Sequence, residues 1–98
     1  MTIAKFELGQ LVTTKGVNTY VNSDPETAIS RTGQLMSIIS RYMQGDWGDC
    51  HPEDAEANNV AVAEGHRIMG SYKIDQEVVW VITEWDRSVT TFLFPDEY

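Results

Sequence analysis

Basic residues are scarce in this chain. Seven Lys and Arg stand against fifteen Asp and Glu, for a formal charge of −8 and a pI near 4.5. The charged fraction, 22%, is ordinary, so the imbalance reflects missing cations rather than surplus carboxylates. Contact with a nucleic-acid backbone needs clustered Lys and Arg, and so does adhesion to an anionic membrane; neither is expected here. A protein partner with a basic surface is compatible, because opposite potentials speed encounter, although acidity also serves plain solubility. Cysteine is nearly absent: Cys50 stands alone, which excludes an intrachain disulfide and suits a reducing compartment.

No apolar run approaches the 18 residues of a membrane span, and the start MTIAKFELGQ has no signal-peptide pattern. The expectation is one soluble, cytoplasmic domain over residues 1–98, with no membrane association. Glycine-rich phosphate loops and nucleophile elbows are also missing, so no cofactor is expected.

What is present reads as an α+β domain. Phe6, Leu8 and Val12 hint at alternation and predict a strand over residues 5–14, with Gly9 marking a bulge or a close backbone approach. Residues 15–22 are expected to form a loop. Ser23-Asp24-Pro25-Glu26 is a helix start, with Asp24 as cap or Ser23 and Glu26 as a capping box. Ala28, Ile29, Leu35, Met36, Ile39, Tyr42 and Met43 then recur at helical spacing, which assigns them to one face. Gly33 weakens that helix or allows close packing against a neighbour, and Gly45 ends it.

A second helix is expected from Pro52 to Gly65, with Glu53 and Asp54 at the positive end of its dipole. RIMGSYKI, EVVWVITEW and SVTTFLF follow as three strands. The order β-α-α-β-β-β implies an N-terminal strand, two helices and a three-stranded antiparallel meander, with helices on one sheet face. The other face, if apolar, admits a homodimer.

Two stretches concentrate polar chemistry. The first is GDWGD, residues 45–49, which runs on to Glu53 and Asp54. Four carboxylates in ten residues suit a hard cation, but their spacing matches no EF-hand, helix N-termini attract carboxylates anyway, and Trp47 also reads as a plug that fixes the loop to the core. The second is TEWDRSVTT, where Glu84, Trp85, Asp86 and Arg87 crowd a hairpin tip and fit ordinary turn chemistry as well as a site. Cys50, His51 and His66 lack zinc-site spacing and a fourth ligand. From Tyr42 through His66 the chain carries no Lys or Arg. Asp46, Trp47, Asp49, Glu53 and Asp54 in the loop, with Glu84, Trp85, Asp86 and Arg87 in the hairpin, are therefore the candidate partner contacts; no residue is singled out as catalytic or as a metal ligand.

The sequence also resembles a known group. FELGQLVTTKGV, GDWGD, Glu53-Asp54, Asn58-Asn59, Gly65, Arg67, Ser71-Tyr72 and the closing WVITEWDRSVTTFLFPDEY resemble a family of small proteins carried on plasmids, phages and other mobile elements. These are labelled plasmid-related, and some type I restriction subunit. The resemblance covers most of the chain outside residues 18–40, and Cys50, His51 and His66 depart from it. It implies a setting rather than a chemistry. In that setting the expected function is an acidic binding protein that antagonises a host nucleic-acid-handling complex, a CRISPR effector or a restriction enzyme. The alternatives are a small metal-dependent hydrolase or nucleotide-handling enzyme, which requires loop and hairpin carboxylates to converge, and an oligomerisation module.

Overall fold

The computed structural model describes residues 4–98. Strand β1 (Gln10–Thr13) leads into helix α1 (Lys15–Val21), then α2 (Pro25–Met43) and α3 (Pro52–Glu64). Strands β2 (Ile68–Ile74), β3 (Glu77–Thr83) and β4 (Val89–Leu93) follow, and a 3-10 turn at Pro95–Glu97 closes the chain. The α+β class and the antiparallel order of β2, β3 and β4 hold as expected.

The sheet is not a three-stranded meander. It has four strands in the order β1-β4-β3-β2, and β1 joins β4 in parallel, with Leu11 level with Thr90 and Thr13 level with Phe92. The three helices make the connection from β1 to the rest of the sheet, the kind of long crossover that reaching a parallel neighbour requires. The expected strand over residues 5–14 shortens to Gln10–Thr13, because only these residues reach the β4 ladder. Phe6 and Leu8 instead pack against the core ahead of a turn at Gly9. There φ is +65°, and a Cβ would overlap the backbone of Arg87 and Ser88. The close approach inferred for Gly9 is thus real.

The expected loop over 15–22 is helix α1. Its residues are poor helix formers, but Thr14 caps it by accepting from the Val17 N–H, and Val17 and Val21 are buried one turn apart. Tertiary packing overrides propensity in such a short segment. Helix α2 starts as expected on Asp24, whose carboxylate accepts from the Thr27 N–H at 2.9 Å; Ser23 turns back to the end of α1 rather than forming the capping box. The stops also fall at Gly45 (φ +84°) and Gly65 (φ +76°).

One assignment within α2 fails. Ile29 and Met36 do not face the core: they are 78% and 57% exposed, while Ile38, Ile39 and Tyr42 are buried. The buried stripe is centred about one helix position away from the expected one.

Side chains alternate cleanly across the sheet. Ile68, Tyr72, Ile74, Val79, Val81 and Phe92 meet the helices in one core. Ladder register puts Met69, Trp80, Ile82, Thr91 and Leu93 on the opposite face, where Tyr98 lies against Trp80 with ring centroids 5.8 Å apart. Through the core runs a chain of hydroxyls. The Thr90 hydroxyl donates to the Leu8 carbonyl at 2.7 Å, which leaves Thr83 to donate to Thr90 and Tyr42 to donate to Thr83, each also at 2.7 Å. This ties α2, β3, β4 and the N-terminal segment through groups that water cannot reach.

Removing the middle of that chain leaves the Tyr42 hydroxyl with only its longer contact to the Ile68 carbonyl, at 3.3 Å. Thr83→Val is expected to cost about 1–3 kcal/mol. Added to Tyr42→Phe, it should cost clearly less than the sum of the two single effects. Urea unfolding of the two single variants and the double variant measures this coupling.

Candidate functional site

The strand β2 is an edge strand, and its outward N–H and C=O groups need partners. The GDWGD loop supplies two of them. Ser71 donates its N–H to the Trp47 carbonyl at 3.1 Å and accepts from the Asp49 N–H at 2.7 Å, so Gly48 bridges Ser71 like a one-residue parallel strand. Asn58, on α3, does the same for Met69 with its side chain: its amide donates to the Met69 carbonyl at 2.7 Å and its oxygen accepts from the Met69 N–H at 3.1 Å. Gly48 is required here twice over. Its φ is +74°, and a Cβ would overlap the Ser71 carbonyl oxygen.

Side chains around the bridge hold it in place. Asp46 receives the Arg41 guanidinium at 2.8 Å and the Gly48 N–H at 3.1 Å, and the Arg41 bond is the main reason its carboxyl is held below the usual range. The Tyr72 hydroxyl donates to the Asp46 carbonyl at 2.6 Å. Burial pushes the Tyr42 and Tyr72 phenols above the usual tyrosine range, so both act as hydrogen-bond donors. Trp47 is only 5% exposed; its indole N–H donates to Asn59 at 3.0 Å and its ring packs against Phe6 and Tyr42. Trp47 thus anchors the loop from inside and is no surface aromatic.

The loop's remaining carboxylates are different. Asp49 is exposed, and so are Glu53 and Asp54 in the first turn of α3. Among the described residues these three carboxylates take part in no ion pair or hydrogen bond. The α3 N-cap, His51, makes no side-chain cap bond, so Glu53 and Asp54 face the helix dipole's positive end through water.

The hairpin group is built on another principle. Asp86 accepts from the Ser88 N–H at 3.1 Å and from its hydroxyl at 2.6 Å, bonds that lower its carboxyl. Arg87, at φ +59°, sends its guanidinium to the carbonyls of Ala61, Glu84 and His66, at 3.0, 3.2 and 2.7 Å. A cation at a helix C-terminus satisfies its free carbonyls and suits the dipole there. Arg87 is therefore a clasp between hairpin and α3 and offers little to an outside anion. Trp85, 68% exposed, does present an aromatic surface, and Glu84 beside it is half-buried.

The two carboxylate groups do not converge. Glu53 and Asp54 lie in the first turn of α3, while the hairpin is clasped to its last turns. Ala61 is eight residues beyond Glu53, roughly 12 Å along the axis. Hard cations need their oxygens within about 2.6 Å. Among the described residues no group of three His, Cys, Asp or Glu side chains is placed to hold a metal. Cys50 sits half-buried with its thiol toward the Met69 carbonyl at 3.7 Å, and burial pushes that thiol up, away from nucleophilic use. A cleft of about 510 Å³ lies elsewhere, between Tyr20, Glu77, Val78, Phe94 and Asp96, and includes none of the expected contacts.

Charge counting missed one feature. All four arginines are engaged within the chain: Arg31 with Asp75 and the Tyr20 carbonyl, Arg41 with Asp46, Arg67 with the Tyr98 hydroxyl, and Arg87 with α3. The chain matches no family model, and no curated protein or solved structure is significantly similar to it.

Two outcomes test this construction. Gly48→Ala is expected to destabilise by at least about 2 kcal/mol in urea unfolding, from a strained φ and a broken edge bridge together. Asp46 has a depressed folded-state carboxyl, so its stabilisation is complete above the unfolded value near 3.9 and disappears as pH falls through the folded value. Asp24, Asp75, Asp86 and Glu97 shift the same way. Stability should therefore fall below about pH 4, and Asp46→Asn should show a shallower fall, measured by thermal unfolding from pH 7 to pH 2.

Proposed function

We propose that the chain is a protein-binding module that uses the acidic end of α3 to occupy a basic surface on its partner. One observation supports this above the others: among the described residues the carboxylates of Asp49, Glu53 and Asp54 are exposed with no hydrogen bond or ion pair, whereas every arginine is already bonded within the chain. Their unpaired charge gives the net −8 a local focus at the start of α3, which steers a basic partner to one end of the molecule. Trp85 adds an exposed aromatic of the kind that anchors interfaces.

The resemblance to proteins of mobile elements extends the proposal to a target class. The partner is a host complex that handles nucleic acid, a CRISPR effector or a restriction enzyme, whose basic groove the acidic surface would fill. The described carboxylates are too sparse to imitate a duplex along its length, so the contact is local. The separation of the two carboxylate groups along α3 favours binding over metal-assisted hydrolysis.

The test compares capture by the wild type and by Asp49→Asn/Glu53→Gln/Asp54→Asn, which removes charge without adding bulk. A tagged wild-type chain should retain a nucleic-acid-handling complex from host lysate, identified by mass spectrometry, and release it at high salt. The triple variant should lose at least about nine-tenths of that capture, a tenfold change equivalent to about 1.4 kcal/mol. Equal capture by a variant that unfolds like wild type would sink the proposal.

A further inference from the structure

Helix α2 has an outward face that the fold leaves unexplained. Ile29 and Met36 are among the most exposed large apolar side chains in the described molecule. Ser30, Gly33, Ser37 and Ser40 share that face and are also exposed. Between Glu26 and Arg41 the helix has a single charged residue, Arg31, and that side chain is folded back onto Tyr20 and Asp75. The strip is thus free of carboxylates on a chain with net charge −8.

Gly33 sharpens the anomaly. A glycine inside a helix is destabilising relative to alanine, because it loses more backbone freedom on folding. A Cβ at Gly33 would meet nothing within 4 Å, so the chain's own packing does not require it. Another backbone coming close from outside would give the glycine a use.

We infer that two copies of this chain pair antiparallel through α2, crossing at Gly33. A two-fold axis at Gly33 places position n opposite position 66 − n. Ile29 then falls opposite Ser37 and Met36 opposite Ser30, so each large side chain meets a small one. Glu26 falls opposite Ser40, one residue from the partner copy's Arg41, whose side chain is bonded to Asp46 yet 47% exposed, which sets opposite charges near each other at both ends of the contact. Large-into-small matching around a close crossing is what ridge-and-groove packing of two helices needs. A self-contact is also least repulsive here, because the strip holds no carboxylate while α3 carries several. The pairing rests on α2 alone and stands whatever partner α3 meets. It leaves both acidic ends free, so a dimer would present two of them.

One helix face is a small interface, so the dimer should be weak and depend on concentration. Analytical ultracentrifugation of wild type over a concentration series should show monomer passing to dimer. Met36→Glu and Ile29→Glu should each weaken dimerisation about tenfold or more while leaving thermal unfolding of the monomer unchanged, since both side chains are solvent-exposed in the monomer. Gly33→Ala should stabilise the dilute monomer and weaken the dimer, a pair of opposite effects that a purely local role would not produce. In a Cys50→Ser background, Gly33→Cys should form a disulfide-linked dimer on mild oxidation, and Ala57→Cys, also exposed but on α3, should not. A wild type that stays monomeric throughout, with no cross-link at Gly33→Cys, overturns the proposal. So does a dimer that survives Met36→Glu, because the second copy would then sit elsewhere.

Discussion

The outer edge of β2 is the constraint around which the loop and α3 are arranged. An edge strand presents backbone donors and acceptors that either meet water or must be paired. Here Met69 is paired by a side chain and Ser71 by a loop main chain. Both partners have to arrive at one edge, which places the loop after α2 and the middle of α3 side by side. The spacing within GDWGD follows from this. Asp46 and Gly48 shape the turn, Trp47 fills the core behind it, and Asp49 lends its N–H to the strand while its carboxylate stays in solvent. Main chain and side chain of one residue have separate functions.

The few arginines are committed to structure. Arg31 secures the β2–β3 turn through Asp75, Arg41 closes the loop through Asp46, and Arg87 joins the hairpin to α3. Each works on a carboxylate or a helix end where a flexible ammonium would give fewer directed bonds. Arg31 and Arg41 each cancel the charge of one carboxylate, whereas Arg67 and Arg87 bond a hydroxyl and main-chain carbonyls.

Much of the local architecture was legible in the residues. Asp24-Pro25 begins a helix and Gly45 and Gly65 end helices because those signals act over one turn, whatever surrounds them. The apolar run of β3 implied a strand covered on both faces, and β3 lies between β2 and β4. Helix α1 was not legible, since Gly16, Asn18 and Thr19 argue against helix and only burial of Val17 and Val21 outweighs them. Periodicity placed Ile29 and Met36 with the core residues of α2. A shift of one helix position suffices to carry both to the surface, and spacing alone does not define the centre of a face so finely. Among the candidate contacts, Trp47 and Trp85 were equivalent in sequence; the fold buries one and exposes the other.

By itself the sequence determined the α+β class, the acidic character, the lack of an intrachain disulfide and the boundaries of α2 and α3, because composition and single-turn signals suffice for each. Only the tertiary structure decided that β1 lies parallel to β4, that the loop closes the β2 edge, and that the two carboxylate groups lie toward opposite ends of α3. Those outcomes depend on pairing and packing between residues distant in the chain, and no local pattern encodes them.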